Sequence, residues 1–527
     1  MDNTQQLKQI FQRYDHAKQE AMAWRAHFED CYYYAIPNRN TYLSKTHGIK
    51  QGIDIYDPTA IIATITYVAH LMTSLTPLGV DWAELRAGIA IPRQYRDNFN
   101  RQLQPLNELL FDYIHNSNYY QALSESHKDL AVGTGVLMCR EGDSDDRPFI
   151  FEAVPLEFVY PEQGAYGQLD TIFRDIDDYP LRQLLVEYPE AKLSAGLRMM
   201  LDRAPDSKIN LAEGSMYDAK KKEYHYVLIH RDAWELLFED FGESSPWIPY
   251  RGSKMPNELF GRGPIMEALG AIKTLNEMAG DELKAAALIA NPMWFGVSDG
   301  VFNPHNLNLQ PNSIIPIANM GSKPLEVVQA GGNIQFEQLT EEKLVKKINQ
   351  IFFTNPLGDI APNSNFTATE IQIRKLQDME DREPSIGRII PELLDRLIGR
   401  VIYILQKRKL FPKLNIDGRQ VTLHYKSPLL KSQNLANVIN LTHGVQTLQS
   451  IVGTELAPRL LNIEKIPEYI FEQLGIDLEL VKEPDEIVQE MQQYAQALQQ
   501  QQQQGQAQLP TPPQGGIQQP QGQAQVA

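Results

Sequence analysis

The side chains in this sequence that could do chemistry are charged, and the first group of them is acidic. Four carboxylates fall within six consecutive positions, Glu141, Asp143, Asp145 and Asp146. Carboxylate oxygens are the ligands that hard cations such as Ca²⁺ prefer, so this segment is a candidate cation site and supports the hypothesis of a carboxylate-dependent hydrolase. However, the sequence supplies no histidine partner, glycine-rich site or credible nucleophile for such an enzyme. Because short charge runs are usually solvated, we favour a surface turn.

The second group is basic and lies in a segment with helical spacing. Its members are Lys343, Lys346 and Lys347. Lysines on one helix face can contact the phosphates of a nucleic acid. They can equally pair with Glu341 and Glu342 on a solvated surface. The sequence leaves both interpretations open.

Catalytic and cofactor motifs are absent from the rest of the sequence. No GxxxxGK followed by Ser or Thr, no HExxH, no GxSxG and no EF-hand spacing occurs. His225 and His230 are five positions apart on a predicted strand, so they face opposite sides and cannot share a metal ion. The two cysteines, Cys31 and Cys139, form no CxxC pair and are interpreted as buried or inert thiols. We therefore expect no catalytic residue, no cofactor and no metal ion.

Composition limits the classes of protein further. The 527 residues carry a net charge of −17 and are 43% hydrophobic, which suits a soluble protein of several domains. This charge argues against a protein that grips nucleic acid with a bulk basic surface, although it allows DNA to pass through a repelling channel. The run Ala60–Val80 includes His70 and is cut short by Pro77, so it predicts a buried helix and no membrane insertion. The polar N-terminal segment predicts no signal peptide.

A long helix is the element around which the chain is organised. It begins at the turn Gly261–Pro264, where proline suits the first helical position, and apolar residues then recur at helical spacing to about Ile289. Asn291-Pro292 ends it. Short β-prone pieces follow, at Trp294–Val297, Ser313–Ile317, Leu325–Val328 and Ile334–Phe336.

The chain then returns as a second helix, a loop and a third helix. Helical spacing covers about Thr340–Phe353, and the polar sequence NPLGDIAPNSNF follows it. Thr367 and Glu370 have the spacing of a capping box, which predicts the start of another helix. We expect this helix to continue to about residue 408, with kinks at Pro384 and Pro391.

The flanking regions predict an α+β protein that is mainly helical. We predict small helices over 432–476 and a last helix from about Pro484, where apolar residues recur at 487, 491, 494 and 498. The composition of residues 505–527 cannot support a packed core, so we predict that they are disordered. We predict helices over 4–35, 58–75, 95–116, 120–131 and 180–201, and strands over 81–85, 136–140, 149–154, 158–160, 171–174, 224–230 and 421–425.

The order of long helix, small mixed excursion, returning helix, loop and kinked helix resembles that of bacteriophage portal proteins, the head-to-tail connectors, and most closely those of short-tailed phages. Pro246–Met278, with its segment ELFGRGPIMEALGAIKTLNEM, resembles the family's entry into the stem, and NPLGDIAPNSNFTATEI at Asn355–Ile371 resembles its tunnel loop and the start of the following helix. Tyr56–Arg86 and KSPLLKSQ at Lys426–Gln433 resemble further family segments. The order of these pieces along several hundred residues is the specific signal.

The resemblance implies a division of the chain into the parts of a portal fold. The expected parts are an α/β wing (1–260), a first stem helix (261–289), a small mixed clip (290–336), a second stem helix (337–354), a tunnel loop (355–367), a long kinked helix with the return strand of the wing (368–425), a helical crown (426–482), a C-terminal helix that could form a barrel (483–504) and a disordered tail (505–527).

The resemblance also implies a function without catalysis. Twelve copies would form a ring at one capsid vertex, conduct double-stranded DNA during packaging and ejection, and dock a separate terminase motor and then a tail adaptor. The ring would contact the major capsid and scaffolding proteins, assemble in the host cytoplasm and remain in the virion. The expected DNA-channel residues are Lys343, Lys346, Lys347, Asn355, Asp359, Asn363 and Asn365. The alternatives are the cytosolic carboxylate-dependent hydrolase and a non-viral helical scaffold protein.

Overall fold

The computed structural model describes residues 3–39, 52–290, 294–296, 325–327, 334–354, 387–414, 418–426, 438, 441–451, 466 and 469–470. The chain forms two compact units, Met1–Leu429 and Leu430–Ala527. In the second unit the described residues include a helical stretch at 441–451, within the region predicted to hold small helices. The predicted C-terminal helix and tail lie outside the described residues.

The helices of the first unit largely follow the predicted ones, and the mainly helical α+β class is confirmed. One difference is that 4–35 is two helices, because the chain turns at Ala23 and Trp24 so that the Trp24 ring can pack on Phe28 and Phe260. The α-helices are α1 (Asn3–Met22), α2 (Arg25–Ala35), α3 (Thr59–Leu75), α4 (Arg93–Asn116), α5 (Tyr119–Val132), α6 (Leu181–Glu187), α7 (Ala195–Arg203), α8 (Pro264–Ala290), α9 (Ile334–Ile351) and α10 (Asp395–Lys407).

The predicted helix over 180–201 is also divided, into α6 and α7. The α6 helix ends at Glu187, and Tyr188 precedes Pro189. A residue before proline is disfavoured in the helical conformation, which explains the break. None of the described helices has both the length and the apolar character needed to cross a membrane.

The strands form antiparallel sheets, of which the largest has five strands in the order β4-β5-β6-β7-β8. A three-stranded sheet has the order β3-β2-β9, while β1 pairs with β12 and β10 pairs with β11. The strands are β1 (Ala83–Ala87), β2 (Thr134–Glu141), β3 (Phe149–Ala153), β4 (Val159–Gln163), β5 (Leu169–Pro180), β6 (Lys208–Asp218), β7 (Glu223–His230), β8 (Glu235–Gly242), β9 (Trp247–Arg251), β10 (Trp294–Gly296), β11 (Leu325–Val327) and β12 (Val421–Tyr425).

Three strands, β6, β8 and β9, were not predicted. The β6 strand buries Glu213 beside Gly214, so its sequence lacks the alternation of apolar and polar residues that marks a half-buried strand. The β9 strand is buried at every position and contains Pro249, which usually argues against a strand.

A continuous apolar core joins helices α2 to α5, the sheet β3-β2-β9 and the first half of α8. Trp82, Tyr119 and Trp247 are among its largest fully buried side chains. A smaller cluster lies where α6 and α7 cover the five-stranded sheet. The core therefore encloses the beginning of α8 and leaves its far end outside.

The region from α8 to α9 is partly described. The α8 helix has the predicted bounds, and β10 and β11 coincide with two of the β-prone pieces. The α9 helix begins at Ile334, so the prediction of a β-prone piece at Ile334–Phe336 is wrong. Extending an existing helix adds one hydrogen bond per residue, which outweighs the weak β preference of three residues. The piece at 313–317 lies outside the described residues.

Candidate nucleic-acid interface

The α8 helix begins where its Gly-Arg-Gly-Pro turn meets the start of β2. The backbone N–H of Gly261 donates to Thr134 Oγ1 (2.8 Å), and the N–H of Gly263 donates to the carbonyl of Val132 (3.0 Å). A methyl group on Gly263 would lie less than 3.0 Å from the carbonyl oxygen of Ala131. The two glycines therefore let one backbone lie directly against another, which no larger residue permits.

An ion pair fixes the same region to the chain that follows the α9 helix. Arg251 Nη2 lies 2.7 Å from Glu392 Oε1, and the Arg251 Nε and backbone N–H both donate to Glu392 Oε2 (3.2 and 2.9 Å). Arg251 is only 1% exposed. Because 141 residues separate the partners, this pair holds together the two ends of the chain segment that contains α8 and α9.

Glu392 lies in a helical turn of unusual geometry. Residues Ile390–Leu394 form a π-helical turn that contains Pro391, and α10 follows directly. Proline lacks the N–H of a regular helical hydrogen bond, and π-turns are a common cause of helix kinks. The irregularity predicted at Pro391 is therefore present as a π-turn, whereas Pro384 lies outside the described residues.

Asn276 connects α8 to the segment in front of α3. Its Oδ1 accepts from the backbone N–H of Tyr56 (2.7 Å) and of Asp57 (3.3 Å), and its Nδ2 donates to the carbonyl of Asp54 (3.0 Å). Asp57 Oδ1 in turn accepts from the backbone N–H of Thr59 (2.9 Å), the first residue of α3. One amide therefore satisfies three backbone groups that would otherwise lack partners.

Replacing Asn276 with alanine is expected to lower the free energy of unfolding by about 2 kcal/mol, because two backbone N–H groups lose their acceptor in a largely buried place. The matched control is Thr274→Ala on the exposed side of the same helix, where the hydroxyl bonds only to Gly270 O. That change should stay within about 0.5 kcal/mol. Urea unfolding followed by circular dichroism measures both, and equal losses in the two variants would contradict the role of Asn276.

The predicted channel lysines lie on the outer face of α9. Lys343, Lys346 and Lys347 are exposed, whereas Ile348 is fully buried and Leu344 packs against the core. The helix therefore brings the three lysines together on the side opposite Ile348 and the described core. The four predicted loop residues, Asn355, Asp359, Asn363 and Asn365, lie outside the described residues.

The exposed face of α8 is acidic. We did not predict this from the sequence, because the prediction used only the apolar residues of this helix. Its exposed positions recur at alternating spacings of three and four residues, the period of one helix face. These positions are Glu267, Gly270, Thr274, Glu277, Asp281 and Lys284.

The acidic segment 141–146 is paired with the end of α10. Glu141 Oε1 lies 2.7 Å from Lys407 Nζ, and Asp145 Oδ1 lies 3.4 Å from Arg408 Nη1. Within the described ranges, no group of three or more His, Cys, Asp or Glu residues could hold a metal ion. The segment's charge is thus partly balanced by basic side chains, and nothing in this geometry favours the carboxylate-dependent hydrolase.

The other candidate reactive groups are also structural. Cys31 and Cys139 are buried and unpaired, and burial raises the pKa of each thiol to about 12, so neither is a nucleophile at neutral pH. His225 stacks on the ring of Phe241 with 4.3 Å between centroids, and burial lowers its pKa. The burial of both thiols agrees with their interpretation as inert cysteines.

Solved structures similar to this chain come from gene transfer agent (GTA) particles. A chain from the virion of the native gene transfer agent (GTA) particle is 12% identical, with a TM-score of 0.38, over 80% of this chain and 92% of that chain. A chain from the neck of the empty GTA particle, computed with C6 symmetry, is 13% identical, with a TM-score of 0.36, over 80% and 90%. No curated protein matches the sequence.

The family comparison covers most of the sequence. The model of the family described as bacteriophage head to tail connecting protein matches residues 7–481, which include all the elements from α2 to β12. The chain therefore belongs to the family of bacteriophage head to tail connecting proteins.

Proposed function

We propose that this chain is the portal subunit of a bacteriophage, and that its copies form a ring through which double-stranded DNA enters and leaves the capsid. The family's role, connecting head to tail, is a structural one within the virion. A ring at one capsid vertex would serve that role, because it offers one face to the head and the other to the tail.

The observation that best supports a ring is the exposure of the outer half of α8. Leu283 and Ile289 are 57% and 59% exposed there, and Leu339 on α9 is 57% exposed. Helices in proteins are stabilised mainly by packing of an apolar face, so a helix end that exposes such residues in the single chain needs neighbours. Neighbouring copies in a ring would supply that cover.

In this proposal the parts of the chain take the roles expected from the portal resemblance. The helices α8 and α9 form the stem, and the segment between them, with β10 and β11, forms the clip that meets the terminase motor and later the tail adaptor. Residues 355–367 form the tunnel loop. The wing and the crown, 1–260 and 426–482, face the major capsid and scaffolding proteins.

DNA would move through this ring with weak contacts. The net charge of −17 per chain would make a largely acidic wall that repels phosphates. Asn355, Asp359, Asn363 and Asn365 would face the duplex, because mostly uncharged polar groups let it slide, whereas several lysine–phosphate contacts would hold it. The exposed lysines Lys343, Lys346 and Lys347 could therefore contact DNA only at some cost to its movement.

The finer features of the proposal follow from the same resemblance. They are a ring of twelve copies, a phage of the short-tailed type, and assembly in the host cytoplasm before the ring becomes part of the virion.

The purified chain is expected to form a particle near 720 kDa, the mass of twelve 60.0 kDa copies, with a central hole. Light scattering measures the mass, and negative-stain images of the same fraction show the hole. The test includes high protein concentration, because assembly of many copies is favoured by it. A chain that stays monomeric there would contradict the proposed ring, and metal-dependent hydrolase activity would favour the carboxylate-dependent hydrolase.

A further inference from the structure

The stem helices expose faces of opposite charge. On α8 the exposed face carries three acids, Glu267, Glu277 and Asp281, against one base, Lys284. On α9, among the side chains whose exposure is described (339–351), the exposed charged ones are the three lysines at 343, 346 and 347 and one acid, Glu342. The basic face is a candidate DNA contact, whereas the acidic face has no partner proposed for it.

From these faces we infer a partner for the lysines: Lys343 and Lys347 of one copy pair with Glu277 and Asp281 of the next copy in the ring. The inference rests on the proposed ring and assigns the basic face of α9 to the interface between copies rather than to DNA. A contact between two different faces of the same subunit is heterologous, and such contacts close into rings when the rotation fits.

The spacing of the charges fits such a pairing. Glu277 and Asp281 are four residues apart on α8, and Lys343 and Lys347 are four residues apart on α9. Four residues span about 6 Å along a helix, so one turn of each helix presents two charges at the same separation. Two helices packed side by side can therefore form both ion pairs at once.

These four side chains are also available for new partners. Among the described residues, neither Lys343 nor Lys347 has an ion-pair partner, and the same holds for Glu277. Asp281 has only a surface pair with Lys284 (2.9 Å), and both of those side chains are about three-quarters exposed. Exposed pairs of this kind contribute little, so Asp281 can exchange its partner when a neighbouring copy arrives.

An apolar side chain next to the lysines would add to the interface. Leu339 on α9 is exposed and lies one helical turn before Lys343, on the same face. Complementary charge around an apolar centre fixes which surfaces meet and in which register. A second copy of this chain offers both apolar and charged side chains, whereas DNA would leave Leu339 exposed.

The test is a charge exchange in the full-length chain. Lys343→Glu with Lys347→Glu should lower the fraction of protein in rings at least about tenfold, and so should Glu277→Lys with Asp281→Lys, because each places like charges opposite one another. The four changes together should restore ring formation to within about twofold of the unaltered chain. Light scattering and negative-stain images give the fraction, at a fixed salt concentration near 150 mM.

The control has the same change of charge in another place. Lys220→Glu with Lys222→Glu alters exposed lysines in the turn between β6 and β7 and should leave ring formation unchanged. Thermal unfolding of each variant tests whether it is folded. If Lys343→Glu with Lys347→Glu lowers the midpoint temperature of unfolding, the milder Lys343→Gln with Lys347→Gln replaces it. That variant should weaken ring formation in a salt-dependent way.

Any result other than these expected ones would contradict the proposed ion pairs. Rings that form equally well in all variants would exclude it while leaving the proposed function intact, and altered DNA retention in the Lys343→Glu and Lys347→Glu ring would then assign these lysines to DNA. A loss that the four combined changes do not restore would also exclude the pairing. An unaltered chain that never forms rings would overturn the proposed ring and the pairing together.

Discussion

Replacing Gly261 with alanine is expected to lower the free energy of unfolding by about 3 kcal/mol, because the turn before α8 has no room for a side chain. The added methyl group would lie less than 3.0 Å from the carbonyl oxygens of Gly133 and Ser253 and from Cβ of Arg251. Two of these atoms belong to backbone, which cannot move aside as a flexible side-chain end can. The chain would have to separate α8 from β2 and weaken the hydrogen bond from Gly261 N–H to Thr134.

The matched control is another glycine on the same helix. Gly270 has no atom within 4 Å of the place its Cβ would occupy, so Gly270→Ala should raise the free energy of unfolding by about 0.5–1 kcal/mol through better helix propensity. Urea unfolding of the two variants beside the unaltered protein measures the difference. If Gly261→Ala were as stable as the unaltered protein, the close approach of Gly261 and Gly133 would not constrain this turn.

The elements that sequence could predict are those with strong local signals. The α8 helix has a proline at its first position and a long apolar stripe, and the structure begins and ends it within one or two residues of the prediction. The strand β12 was predicted with its observed bounds from its β-branched and aromatic residues. In both cases the determining information lies within a few neighbouring residues.

The features that could not be predicted depend on residues far apart in the chain. The turn at Gly261–Pro264 was identified as a helix start, but nothing local shows that Gly261 faces Gly133. Likewise, the pair of Arg251 and Glu392 joins two short segments that carry no common motif. Long-range contacts of this kind are fixed by the packing of the whole fold, so single-sequence patterns do not record them.

The charged faces of α8 and α9 were only partly predicted from the sequence. The lysines at 343, 346 and 347 were visible as a basic group on a helix, and their exposure on one face of α9 agrees with that pattern. The role that we infer for these lysines depends on the charge of a second helix, α8, in which the apolar stripe is the stronger sequence signal. The acidic residues Glu277 and Asp281 could have been found by following the exposed face of α8 at its helical period.

The contacts that anchor α8 to the rest of the first unit lie near its N-terminal end. The contacts of Gly261, Asn276 and Arg251 all involve the first half of α8 or the chain next to it. The second half has exposed side chains such as Leu283 and Ile289. The described contacts therefore fix the beginning of α8, and in the proposed ring neighbouring copies would stabilise its far end.

Removing the carboxylate of Glu392 is expected to have the largest effect of the single changes, a loss of about 4 kcal/mol for Glu392→Ala. Arg251 is 1% exposed, and without Glu392 its charge would be buried with only the carbonyls of Leu259 and Gly167 as acceptors. The backbone N–H of Arg251 would also lose its acceptor. Glu392→Gln keeps one acceptor oxygen and removes the charge, so it should cost about half as much.

Two further variants distinguish the contribution of the Arg251–Glu392 ion pair from that of neighbouring groups. Arg388 lies 3.7 Å from Glu392 but is more exposed, so Arg388→Ala should cost less than about 1 kcal/mol. The double change Arg251→Met with Glu392→Leu removes both buried charges and should recover most of the loss, because similar apolar replacements of buried pairs are often neutral. Urea unfolding measures the free energy of unfolding of these two variants and of Glu392→Ala and Glu392→Gln. If Glu392→Gln were as stable as the unaltered protein, charge would not be what holds these segments together, and the shape of the π-turn at Ile390–Leu394 would have to hold them instead.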